Sequence, residues 1–156
     1  MRVAVTGGPG AGKTAVLEMA RKELCRHVVV LPEAAGIVFG GGFPRLDAPA
    51  ARRAAQRAIF HVQREAERLV EELGGFAVAL CDRGTLDGLA YWPDSAASWA
   101  RELGIDIDAE RRRYAAVLHL DTPAATQGYN HDNALRTESA EEAGRIDDRI
   151  VAAWAG

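Results

Sequence analysis

Gly7-Gly8-Pro9-Gly10-Ala11-Gly12-Lys13-Thr14 decides the fold of this chain. The stretch matches the pattern G-x-x-x-x-G-K-[ST] at every fixed position. Glycines let the backbone wrap a phosphate chain with its N–H groups turned inward, and a helix beginning at the loop's end adds its positive dipole end. Lys13 is suited to the β- and γ-phosphates, and the Thr14 hydroxyl to Mg²⁺. The expected nucleotide-binding set is Gly7, Gly8, Pro9, Gly10, Ala11, Gly12, Lys13, Thr14 and Ala15, around ATP or GTP with Mg²⁺.

The flanks agree with that loop. Before it, Arg2 to Thr6 is a short β-branched run that reads as a strand. After it, Thr14 to Arg26 carries Val16, Leu17, Ala20 and Leu24 at helical spacing. Val28 to Leu31 is continuously apolar, as expected of a strand covered on both faces. Ala35 to Ala50, with Gly40, Gly41 and Gly42 in a row, reads as a loop. Ala51 to Leu73 predicts a long helix, apolar along Ala55, Ala58, Ile59, Val62, Ala66, Leu69, Val70 and Leu73, and ended by Gly74 and Gly75. Phe76 to Cys81 is the next strand. Thr85 is expected to cap a short helix stopping before Pro93, Ser95 one running to Leu103, and Asp108 one running to about Tyr114. Ala115 to Leu120 reads as a fourth strand, and Asp121 to Leu135 as polar and irregular. Ser139 and Glu142 form a capping box for a last helix over Ala140 to Trp154. Alternating strands and helices predict a three-layer α/β domain with a parallel sheet.

The 156 residues suit a single domain over 1–156, and a 48% hydrophobic content suffices for a core. A net charge of −3 gives no electrostatic reason to expect nucleic acid or an anionic membrane as partner. No apolar run approaches the ~18 residues of a membrane span. The first residues read as a strand and not a signal peptide. Cys25 and Cys81 read as reduced thiols, and the expected compartment is the cytoplasm. At the other end, the last helix has no strand after it, so either the sheet has four strands or a fifth lies beyond Gly156.

Four further positions carry chemistry. Asp82 ends an apolar strand, which places a carboxylate at the sheet's carboxyl edge, where ligands bind in such folds. It is the candidate Mg²⁺ partner of Thr14, and Arg83 beside it would face the transferred phosphoryl group. Glu33 lies just past the second strand at the same edge, suited to orient or deprotonate an acceptor hydroxyl. Arg136 follows the irregular segment and would serve as a lid cation at the developing charge. Arg145 and Arg149 follow one turn apart on the last helix, where ordinary surface arginines also occur. Arg53, Arg57, His61, Arg64 and Arg68 share a face of the long helix that reads as its solvated side, with Glu72 able to pair with Arg68. Gln63 and Glu67, on a neighbouring face, are placed to reach a substrate. Tyr91 and Trp92 are candidates for a ring pocket or for core.

A Ras-type GTPase would need an [NT]-K-x-D segment after the fourth strand, where this chain has His119-Leu120-Asp121-Thr122-Pro123. A transporter ATPase signature is absent, and a ring motor needs a longer module. Pro32-Glu33-Ala34-Ala35, Cys81 to Gly88, His119 to Thr122 and Leu135-Arg136-Thr137-Glu138-Ser139 together resemble a P-loop "predicted ATPase" family. That family is grouped with the nicotinamide-riboside kinase domain of the bacterial NAD-biosynthesis regulator. The resemblance implies a kinase-like sheet of order 2-3-1-4, with a fifth strand where the chain supplies one. It also implies ATP or GTP at Gly10, Gly12, Lys13 and Thr14, and metal or catalytic duty for Asp82. Two functions stand: a kinase moving the γ-phosphoryl group to a nucleoside-like or other small hydroxyl acceptor, or a regulatory nucleotide-dependent switch without one. A pocket lined by Glu33, Gln63, Arg83 and Trp92 would favour the kinase.

Overall fold

The computed structural model describes residues 1–121 and 140–155. Four strands, β1 (Arg2–Thr6), β2 (Val28–Leu31), β3 (Val78–Asp82) and β4 (Ala116–His119), form one parallel sheet in the order β2-β3-β1-β4. Val3 aligns with Leu80 on one side and Ala116 on the other, so β1 is interior. Its Ala4 and Val5 are buried, as are Ala79 and Cys81 of β3. The edge strand β4 is mostly exposed. This is the P-loop NTPase fold that the sequence predicted, in its kinase-like strand order. Among the described residues, no helix is long and apolar enough to cross a membrane.

The helices are α1 (Lys13–Glu23), α2 (Ala34–Gly40), α3 (Pro49–Leu73), α4 (Gly88–Tyr91), α5 (Ala96–Leu103), α6 (Ile107–Arg111) and α7 (Ala140–Trp154), with a 3-10 turn over Thr85–Asp87. Pro49 stands in the first turn of α3, where a missing N–H costs nothing. Gly74 ends that helix, its N–H bonding the Val70 carbonyl. Phe60 of α3 packs with Leu86, Trp92 and Trp99, and meets the Trp99 ring edge-on at 5.5 Å between centroids. Farther along α3, Ala66 and Val70 pack on Ala4, Leu31, Cys81 and Tyr114. Trp154 of α7 touches both of these clusters and a third built on Ala90, Ile146 and Ile150. The last helix is thereby tied to the residues that follow β3.

The structure corrects several expectations. Ala35 to Ala50 is not all loop. Its first part is α2, whose Ala34 and Val38 are buried and which packs along α3, so tertiary contact overrides the glycine-rich composition. Ser95 caps α5 as expected, accepting from Ser98 N. Asp106, not Asp108, caps α6 by accepting the Ala109 N–H at 2.6 Å. Thr85 caps nothing; its hydroxyl donates to buried Glu110 at 2.8 Å. Trp92 is core, with its indole N–H on Ser98 Oγ. Glu67 does not reach toward a substrate. It is buried and bonded to Tyr114, Gln63, Arg2 and Arg113. The basic face of α3 pairs outward, Arg53 with Asp94, Arg57 with Glu102 and Arg68 with Glu72, as a solvated face should.

Candidate functional site

β1 delivers the chain to the loop, and α1 takes it away. Gly7 has φ 134°, and a Cβ there would lie 2.1 Å from the Leu120 carbonyl oxygen. Only a glycine lets the loop pass this close to the end of β4. Gly12, at φ 84°, makes the left-handed turn that starts α1. Pro9 to Ala15 line a cavity of about 860 Å³ at the carboxyl edge of the sheet. Gly7 and Gly8 are buried just behind that wall.

Lys13 is buried and folded over the loop, donating to the carbonyls of Gly7 at 2.7 Å and Gly8 at 2.8 Å. Burial, aided by the Arg83 charge, lowers its pKa to about 8. Thr14 and Asp82 line the same cavity, Thr14 on its exposed side. Burial, with the charge of Glu33, raises the Asp82 carboxyl to about 6.

Arg83 organises the remainder. Its Nε donates to Glu33 Oε1 at 2.5 Å, and its Nη1 to Gly7 O and Asp87 Oδ2, each at 3.2 Å. Its guanidinium sits 5.8 Å from the centre of the Tyr91 ring. Burial opposes its charge, but Tyr91, Glu33 and Asp87 outweigh that and hold it firmly cationic. Burial also opposes ionisation of Glu33; Arg83, by charge and hydrogen bond, and Lys13 prevail and lower its pKa. Among the described residues, Arg83 is the one non-glycine with positive φ, at 71°. Such backbone costs on the order of 1 kcal/mol or more and persists where surroundings enforce it. Here Gln63 of α3 donates to the Arg83 carbonyl at 3.3 Å and to Glu67 at 2.9 Å.

Two acidic residues belong to the site without having been singled out from the sequence. Asp87 is 3% exposed and accepts from Thr6 Oγ1 at 2.5 Å, from Arg83, and from the Trp154 indole at 2.8 Å. Asp147 of α7 accepts the Gly8 N–H at 2.5 Å and lies 3.2 Å from His119 Nε2. A carboxylate five residues past Asp82 was the available hint for Asp87; its partners come from both ends of the chain. Arg145 and Arg149 also line the cavity. Arg136 and the rest of the expected lid, with Ser139 of the expected cap, lie outside the described residues.

The structure therefore brings Lys13, Thr14, Glu33, Asp82 and Arg83 to one cavity. Two cations, a buried-shifted carboxylate and an ion-paired carboxylate meet a loop of backbone N–H groups, a set suited to phosphoryl chemistry. A protein-family model described as an AAA domain matches residues 2–156 of the chain. No curated protein matches it. The chain belongs to this AAA-domain family, an AAA-type P-loop domain, and the family points to nucleotide binding.

Proposed function

We propose, from this family membership and the site's geometry, that the protein is a P-loop phosphotransferase using ATP or GTP. The observation that carries the reading is the cavity's extent. At about 860 Å³ it is near the upper end of the ~300–1,000 Å³ typical of small-molecule sites. Its lining runs from the loop to Arg52, Gln56, Ile59 and Gln63 of α3, and includes Glu33, Asp82 and Arg83. A triphosphate at the loop leaves the α3 side as a second part for an acceptor.

In this reading Gly7 to Ala15 cradle the phosphates and Lys13 leaves the loop carbonyls for the β- and γ-oxygens. The oxygen donors Thr14 and Asp82 fit Mg²⁺, a hard cation, which would neutralise phosphate charge there. The acceptor oxygen attacks the γ-phosphorus, the bond to the β–γ bridging oxygen breaks, and the nucleoside diphosphate leaves with that electron pair. The acceptor proton passes to the Glu33 carboxylate, which its pairing with Arg83 keeps ionised beforehand. Arg83 then turns from Glu33 to the transferring group, and Arg136 would join it from the lid. The closer likeness to nicotinamide-riboside kinase belongs to this reading, as do the single domain over 1–156 and a cytoplasmic setting.

A second reading, a regulatory switch, draws on α7. Asp147 holds the Gly8 N–H and Trp154 holds Asp87, so nucleotide at the loop could be felt by the last helix. Incubation with γ-labelled ATP and Mg²⁺ and a panel of nucleosides, vitamins and sugars separates the two. The kinase reading expects label on an organic acceptor. Label recovered only as inorganic phosphate supports the switch and rejects the kinase.

A further inference from the structure

One stripe of α3 faces the second part of the cavity: Arg52, Gln56, Ile59, Phe60 and Gln63, at helical spacing. Gln63 uses its amide N–H groups on Glu67 and the Arg83 carbonyl. Gln56 is different. It is nine-tenths buried, it lines the cavity, and its amide makes no hydrogen bond to any described residue. Its polar atoms are not among the fully buried, unpartnered ones of the described residues, so what exposure the residue keeps is toward the cavity. Such a group facing a cavity has a ligand as its natural partner.

Gln56 is also held in place. Its carbonyl side lies on Gly88, where an added Cβ would sit 3.2 Å from Gln56 Oε1 and 3.6 Å from the Trp99 ring. Gln56 stands two helical turns from Gln63, about 10 Å along the axis, and Gln63 is fixed to the backbone of Arg83. A ligand touching both Gln56 and the Arg83–Glu33 pair must therefore be elongated. Phe39, Ile59 and Tyr91 line the same cavity with apolar and aromatic surface. Arg52 donates one N–H to the Tyr91 carbonyl at 3.1 Å, and the other members of the stripe, Gln56, Ile59, Phe60 and Gln63, carry no charge.

We propose that Gln56 is the specificity-determining residue of an acceptor subsite, reading by its amide the ring edge of an uncharged nucleoside-class molecule whose hydroxyl points to Glu33. The subsite rests on the phosphotransferase reading for its role, but its occupancy can be measured separately. Isothermal calorimetry on the full chain with saturating ADP and Mg²⁺ would titrate adenosine, guanosine, cytidine and uridine, with ribose and the four 5′-monophosphates as controls. One nucleoside is expected to bind at least tenfold more tightly than ribose and than its own monophosphate. Gln56→Leu should weaken that nucleoside at least tenfold and leave ADP affinity unchanged. Gln56→Glu should reorder the four nucleosides, because it exchanges donors for acceptors. Gly88→Ala, which crowds Gln56 without disturbing an ordinary helical φ of −57°, should weaken the same nucleoside.

The assignment is overturned if no nucleoside binds, if ribose or a monophosphate binds as well, or if Gln56→Leu lowers only the melting temperature. That last result would make Gln56 a structural partner of the Trp99 wall. Gln56-dependent binding without phosphoryl transfer would reject the phosphotransferase reading and keep the subsite. Transfer to an acceptor indifferent to Gln56 would do the reverse.

Discussion

Replacing Glu67 by alanine should be among the most damaging changes in this protein, although the residue faces no ligand. Its carboxylate is 1% exposed. It accepts from the Tyr114 hydroxyl at 2.5 Å, from Gln63 Nε2 at 2.9 Å, from Arg2 at 3.3 Å and from Arg113. Glu67→Ala takes the closest acceptor from Tyr114 and one of two partners from Gln63, Arg2 and Arg113, which keep the Arg83 carbonyl, Glu71 and Glu110. Breaking a buried ion pair from one side costs about 3–5 kcal/mol. For a chain of this size each kcal/mol moves the melting temperature by about 2–4 °C, so the expected fall is roughly 6–20 °C. Glu67→Gln keeps the volume and one acceptor and should cost less than Glu67→Ala. The site should feel both changes, because Glu67 steadies Gln63, which holds the strained Arg83 backbone. Thermal unfolding followed by circular dichroism measures this. A fall below about 2 °C for Glu67→Ala would refute the buried network and return Glu67 to the substrate-facing role its helical spacing suggested.

Other consequences follow from the packing and the site. Gly84→Ala would put a Cβ 2.4 Å from Trp154 Cζ2 and 3.1 Å from Ala4 Cβ. Overpacking of this kind costs about 1–3 kcal/mol, and in a Trp154→Ala background most of that cost should vanish in a double-mutant cycle of denaturant unfolding. Gln63→Leu removes the donor on the Arg83 carbonyl; phosphoryl transfer should slow several-fold with ATP affinity held within about twofold, a split that steady-state kinetics resolves. Burial pushes the Cys81 thiol up to about 12, which leaves roughly one part in ten thousand as thiolate at pH 8. Cys25 is exposed, so alkylation at pH 8 should modify one of the two cysteines in the native protein and both in denaturant; two fast-reacting thiols in the native state would contradict the packing of β3.

The loop was legible because backbone geometry fixes its residue types: Gly7 has the Leu120 carbonyl against it, Gly12 turns left-handed, and neither position accepts a substitute cheaply. The strands were legible from apolar runs, since a covered parallel strand has no polar face. Asp82, Arg83 and Glu33 could be placed because strand ends in this fold point to one edge. What escaped was decided by contacts between distant segments. α2 is a helix that buries Ala34 and Val38 and packs along α3, and neither its glycines nor a capping residue announces it. Asp87 gains its place from Thr6 and Trp154, 81 and 67 residues away. Helical spacing put Gln63 and Glu67 on one side of α3 correctly, but it could not tell cavity from interior. Nor could it mark Gln56, which in sequence is one more polar residue between arginines.

In the proposed function, Gly7 to Thr14 hold the phosphates of a nucleotide through Lys13. Titrating ATP–Mg²⁺ into the intact protein and its Lys13→Ala variant by calorimetry tests it most directly. Loss of charged hydrogen bonds worth about 1.5–3 kcal/mol predicts an affinity lower by roughly 10- to 100-fold or more, with the variant still folded by circular dichroism. Equal affinity in a folded variant would contradict the claim.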